Sequence, residues 1–154
     1  MAGTGSTSLG AGQIRKLLAS RNIERVVVLG ANGTMGFGSG ALFTQAVPHV
    51  TFLARSRAKA EEGIESAISQ VRSPTVANRS EAGDYENDLE AAIGKADLIF
   101  EALTEDMALK KEMFDRVEAA RRDDSIVATV TSGLSIDSLA DGRNESFRRN
   151  FMGL

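Results

Sequence analysis

The run Val26-Val27-Val28-Leu29 breaks into Gly30-Ala31-Asn32-Gly33-Thr34-Met35-Gly36, and a short apolar strand that opens through closely spaced glycines into a helix admits few folds. A pyrophosphate is large and doubly charged. It needs backbone N–H groups brought close, without side chains in the way, at the positive end of a helix dipole. Glycine supplies both the tight turn and the close approach, so residues 30 to 36 read as a dinucleotide-binding turn with all seven as candidate contacts. The same glycines would also serve an ordinary βα turn carrying a tightly packed helix.

The glycines fall as G-x-x-G-x-x-G, one residue longer than G-x-G-x-x-G. The longer loop resembles the turn of short-chain and extended dehydrogenases, whose chemistry rests on a Tyr-x-x-x-Lys pair. The single tyrosine is Tyr85, with Leu89 four residues on, so that chemistry is absent.

A length of 154 residues suits one domain with one core. A net charge of −3 with mixed signs leaves no basic stripe for nucleic acid and no polybasic membrane anchor. A small-molecule partner is expected. With no cysteine and one histidine, neither a disulfide frame nor a zinc site is expected. Apolar runs are only strand-sized, too short for a membrane span. Residues 1–10 read as a disordered tail without a secretory signal, and the chain as cytoplasmic.

Along the chain, Ile14, Leu17 and Leu18 predict a short helix before a first strand at Arg25 to Leu29. Phe37, Leu42, Phe43 and Val47 mark the helix after the turn, where Gly38 and Gly40 cost roughly 1 kcal/mol each relative to alanine and so suggest close packing. Pro48 ends it, and Val50 to Leu53 form a second strand. Ile64, Ala67, Ile68 and Val71 follow the spacing of an amphipathic helix. The stretch from Arg72 to Tyr85 is irregular and holds at most one poor strand. Leu89, Ala92 and Ile93 mark a short helix, and Asp97 to Glu101 a buried strand. Thr104 is the expected cap of a helix with Glu105 and Asp106 in its first turn and Leu109, Met113 and Val117 facing the core. Ser125 to Val130 is a further strand, Ile136 and Leu139 a short helix, and Phe151 to Leu154 the start of another strand. Alternating strands and helices imply an α/β, Rossmann-type, doubly wound and mostly parallel sheet in a single domain over residues 11–154.

Three stretches together resemble the nucleotide-binding domain of the 3-hydroxyacyl-CoA dehydrogenases. They are Gly33-Thr34-Met35-Gly36, the run from Asp97 to Lys111 with Glu101-Ala102 and with Glu105 followed five residues on by Lys110, and Thr131-Ser132-Gly133-Leu134. The resemblance implies NAD-dependent interconversion of an L-3-hydroxyacyl-CoA and its 3-oxo form, a step of fatty-acid β-oxidation, in a complete enzyme that is a homodimer. It implies that Gly30, Gly33 and Gly36 hold the pyrophosphate, that Ala102, Glu105 and Lys110 lie along the nicotinamide side, and that Ser132 touches the substrate hydroxyl. Taken alone, Glu105 and Lys110 are equally a helix-start acid and a solvated lysine, and Ser132 a turn or N-cap serine.

Departures from the family pattern carry information of their own. The acid expected about 20 residues beyond the turn, where it binds the adenosine ribose, is replaced at Ala54, followed by Arg55-Ser56-Arg57. Losing the carboxylate and gaining guanidinium groups both favour NADP as an alternative to NAD, unless Arg55 and Arg57 are simply solvated at a helix start. Val130 stands in place of a frequent asparagine. In the family, Phe-x-Gly-Leu/Met is followed by the histidine that takes the hydroxyl proton and then by a helical domain; here the chain ends at Phe151-Met152-Gly153-Leu154. Expected, then, is a nucleotide-binding domain without its helical partner, inactive alone. A related 3-hydroxybutyryl-CoA or 3-hydroxy-acid enzyme, or a stand-alone nucleotide-binding or redox-sensing module, is the rival reading. His49, beside Pro48, reads as a surface loop residue.

Overall fold

The computed structural model describes residues 22–154 and four isolated positions before them, so the expected tail and the helix through Ile14, Leu17 and Leu18 lie outside the described residues. Six parallel strands form one sheet: β1 (Arg25–Leu29), β2 (His49–Ala54), β3 (Ser80–Asp84), β4 (Leu98–Glu101), β5 (Ile126–Thr129) and β6 (Phe151–Gly153), in the order β3-β2-β1-β4-β5-β6. The order reverses between β1 and β4. That reversal opens a crevice at the carboxyl ends of the strands, where doubly wound sheets bind their ligands.

Strand sequence explains why both faces are covered. Val26 and Val28 of β1 and Phe100 of β4 enter one core cluster, while Val27, Leu29 and Ile99 enter the other. Continuous apolar runs of this kind belong to strands buried on both sides. The first cluster takes Ala41 and Phe43 of α1 (Thr34–Thr44) and Ala60 and Ala67 of α2 (Arg57–Val71), with Val76 of α3 (Pro74–Arg79). The second takes Leu89 and Ile93 of α4 (Leu89–Lys95), Met113, Phe114 and Val117 of α5 (Met107–Ala120), Leu139 of α6 (Ile136–Ala140) and Phe147 of α7 (Glu145–Arg149).

Several expectations needed correction. The irregular stretch before Tyr85 holds a helix that was not expected, α3, capped by Ser73, besides the one poor strand allowed there, which is an edge strand with full parallel register to β2. Its sequence, Ser-Glu-Ala-Gly-Asp, has little strand propensity; pairing with β2 overrides it. On α2 the buried seam is Ala60, Gly63 and Ala67, and Ile68 is exposed. Small residues there let the helix approach so closely that a Cβ on Gly63 would collide with the Ala31 carbonyl. Gly40 likewise lies against the Phe52 ring, the close packing its position implied. Gly38 meets only the Gln70 side chain, and nothing in the structure explains it. The cap of α5 is Asp106, whose carboxylate accepts from the Leu109 N–H at 2.9 Å, not Thr104. Glu105 is thereby freed from the helix. No described helix is long and apolar enough to cross a membrane.

Candidate functional site

The glycine turn is shaped by two close approaches. Gly30 has φ +79°, and a Cβ there would strike the Ala102 carbonyl; one on Gly36 would strike the Gly30 carbonyl. Both positions need glycine for the fold itself. Gly33 differs, because its Cβ would meet only the Gly30 carbonyl oxygen at 3.5 Å, an ordinary contact. The space beyond Gly33 is therefore empty of protein. Gly33 is also the N-cap of α1, with no side chain bonded to the helix start and no acid in the first turn. The first N–H groups of a helix have no partner within it, and here they face a cradle suited to a phosphate.

A cleft of about 490 Å³ opens beside this turn, bounded by Gly30, Asn32 and Gly33, by Arg55 and Lys59, by Tyr85, and by Ala102 with the start of α5. Of the sequence candidates it brings together Gly30, Asn32, Gly33, Arg55 and Ala102. Thr34 and Met35 are exposed on the first turn of α1. Ala31 is buried, its N–H spent on the Leu53 carbonyl at 3.1 Å, so it shapes the turn from beneath and offers no surface to a ligand. Ala54 is also buried, at 1 % exposure. Its neighbour Arg55, not Ala54, is the first residue past β2 to reach the cleft.

Tyr85 is a cleft residue that sequence reasoning did not find. Its hydroxyl accepts the Gly30 N–H at 2.8 Å, which leaves the phenolic proton free to donate. Arg116 fixes it from behind by donating to the Tyr85 carbonyl at 2.6 Å while pairing with Glu90 at the same distance. Burial pushes the Tyr85 phenol above its ordinary value, keeping it neutral. Only recognition of β3 would have placed a residue after Asp84 at the mouth of the crevice.

Glu105, Lys110 and Ser132 lie apart from that cleft, in a cluster at the ends of β4 and β5. Lys110 has no exposure, which rules out the solvated reading. Its Nζ donates to Glu101 Oε1 at 2.6 Å and Oε2 at 2.8 Å, and to the Leu103 carbonyl at 3.1 Å, with Glu105 Oε1 at 3.3 Å. These acceptors account for every proton of the ammonium. Lys110 thus reaches the site through Glu105 rather than directly. Glu105 Oε2 accepts from the Thr131 hydroxyl at 2.7 Å and from the Gly133 N–H at 3.3 Å, tying the loop after β4 to the loop after β5. Partial burial works against its charge, but the Thr131 and Gly133 hydrogen bonds and the Lys110 ammonium outweigh it and hold the carboxyl below its ordinary value. For Glu101 burial wins and pushes the carboxyl up, with Lys110 offsetting part of the effect. Ser132 is exposed on the loop between Thr131 and Gly133. His49 stands exposed at the start of β2, at the opposite end of the sheet.

A strand-turn-helix with open amides, at the point where a parallel sheet reverses its order, defines a dinucleotide-binding domain. The chain matches the family described as 3-hydroxyacyl-CoA dehydrogenase, NAD binding domain, over residues 25–154, and it belongs to that family. It is 30 % identical to the mitochondrial hydroxyacyl-coenzyme A dehydrogenase of Sus scrofa, covering 97 % of this chain and 50 % of that protein. It is 38 % identical over 71 residues to a probable 3-hydroxyacyl-CoA dehydrogenase of Bacillus subtilis, covering 46 % of this chain and 9 % of that protein. Among solved structures, (S)-3-hydroxybutyryl-CoA dehydrogenase from Ralstonia eutropha superimposes with a TM-score of 0.69 at 25 % identity, covering 85 % of this chain and 48 % of that one. The chain therefore spans at most half the length of these relatives.

Proposed function

We propose that this chain is the cofactor-binding half of an oxidoreductase that interconverts L-3-hydroxyacyl-CoA thioesters and their 3-oxo forms in fatty-acid β-oxidation, acting as a homodimer. The observation that carries the reading is the open space beyond Gly33, bounded by α1 amides and continuous with the cleft floor at Gly30 and Ala102. Gly30, Asn32, Gly33 and the N–H groups of Thr34 and Met35 would hold the pyrophosphate. Ala102 and Glu105 would border the nicotinamide ribose, with Lys110 as a positioning residue that keeps Glu105 ionised and in place. Ser132, on the loop that Glu105 ties down, would meet the substrate oxygen. A nicotinamide bound there supplies the hydride donor or acceptor for the 3-position of the acyl chain.

The test is calorimetric titration of NAD⁺ and NADH into the 154-residue chain and into Gly33→Val. Acetoacetyl-CoA is then titrated into the NADH-saturated chain and into Ser132→Ala. Saturable cofactor binding that Gly33→Val abolishes is expected, with substrate binding that Ser132→Ala weakens. Equal cofactor affinities of the two proteins would remove the turn from the site.

A further inference from the structure

The end of β2 is divided between core and cleft. Ala54 packs with Val50 and Phe52 in the core, and its carbonyl accepts the Tyr85 N–H at 3.1 Å. Arg55 follows it into the cleft beside Gly30, Asn32 and Gly33. In doubly wound folds a carboxylate after the second strand binds the adenosine ribose hydroxyls, and an arginine nearby accommodates a phosphate there instead. The cleft has the arginine at its lip and no carboxylate on the same segment: Ala54, Arg55, Ser56, Arg57, Ala58 and Lys59 run without an acid.

Lys59, in the first turn of α2, lines the same cleft. It pairs with Glu62 at 3.3 Å, both side chains more than half exposed, and a surface pair of that kind holds its partners weakly. Below them α2 begins at Ser56, whose hydroxyl accepts the Lys59 N–H at 3.2 Å, with no acid in the first turn. The positive end of a 15-residue helix thus points to where the two cations stand. The one acid lining the cleft is Glu112, which comes from α5 and not from the segment that carries Arg55 and Lys59, while the carboxylates that follow β3 are engaged with neighbours of their own. Asp84 accepts from Asn87, Asp88 accepts the Asp84 N–H, and Arg57 pairs with Asp88 at 3.7 Å rather than with the cleft.

We propose that Arg55 and Lys59 form a binding site for a phosphate on the adenosine ribose, so that the cleft takes NADP at least as tightly as NAD. The inference rests on the cofactor reading above and adds the chemistry of its adenosine end. A guanidinium grips a phosphate through a planar fork, and Lys59 adds a movable point charge.

The adenosine end can be probed alone, with 2′,5′-ADP against 5′-AMP, and then with NADP⁺ against NAD⁺, by calorimetry at low and moderate salt. Expected is tighter binding of each 2′-phosphorylated ligand, with an advantage that shrinks as salt screens the charges. Arg55→Asp should weaken 2′,5′-ADP and NADP⁺ by about tenfold to a hundredfold, leave NAD⁺ equal or better, and leave the thermal melt unchanged because Arg55 is exposed. Arg55→Lys should recover part of the loss. Tighter binding of NAD⁺ than NADP⁺ by the wild-type chain, unaffected by Arg55→Asp, would overturn this inference and leave the cofactor reading standing. Failure to bind either cofactor would overturn both.

Discussion

Lys110 Nζ lies 2.6 Å from Glu101 Oε1, and neither side chain has any exposure. Glu101 closes β4 and Lys110 comes from the first turn of α5, so the pair pins the helix start to the strand end across the loop that carries Ala102 to Asp106. Isolated, either charge would be too costly to bury. Together with the Leu103 carbonyl and Glu105, they make the loop one rigid unit.

Removing one partner should cost far more than removing both. Lys110→Met leaves an unpaired buried carboxylate and is expected to destabilise the chain by about 3–5 kcal/mol. Adding Glu101→Gln to it should restore part of that loss. Urea denaturation of the three proteins is the measurement, and additive losses in the double variant would show that the two charges are not coupled.

Gly33 and Gly36 separate binding from folding. Gly36→Ala forces a Cβ into the Gly30 carbonyl, so the melting temperature should fall with cofactor affinity. Gly33→Ala adds a methyl in ordinary contact range at 3.5 Å, and should keep the melt while losing affinity by about tenfold or more, as one crowded phosphate contact implies. If Gly33→Ala binds normally, the phosphates do not pass over Gly33.

The sheet and the glycine turn were legible because β1, β4 and β5 are continuous apolar runs and the glycines interrupt one of them. Edge strand β3 was not, since Ser80-Glu81-Ala82-Gly83-Asp84 carries no apolar pattern and is held by register with Val50 to Ala54. Tyr85 was hidden with it. Lys110 could be read as solvated or as a ligand contact, because local sequence does not reveal that Glu101 and Lys110 meet nine positions apart inside the protein. Ala54 is the last residue of β2 and is buried, whereas Arg55 is the first residue beyond the strand and is exposed, a boundary of one position that the local sequence does not mark. Burial alone decided which of them reaches the cleft.

Glu105 holds two loops together, so its removal should loosen one of them first. In Glu105→Ala the Thr131 hydroxyl and the Gly133 N–H lose their acceptor, and amide hydrogen exchange at Gly133 and Leu134 should accelerate while the β1 and β4 core stays protected. Global acceleration would mean instead that Glu105 supports the whole fold.

Acid stability should report on Asp97. Burial disfavours its charge, but the Glu24 N–H, Arg122 and the Arg25 N–H together outweigh that and hold the carboxyl below its ordinary value. A carboxyl lowered in the folded state adds stability above its unfolded pKa, about 4, and that contribution is lost as pH falls through the lower folded value. Asp97→Asn should therefore be less stable than the wild type near neutral pH by about 1 kcal/mol, a figure discounted because the group is partly exposed. The two stability curves should converge as pH falls through that lowered folded value. Urea denaturation at neutral and acidic pH measures the gap, and a gap that stays constant with pH would mean the Asn variant loses shape complementarity rather than a charge.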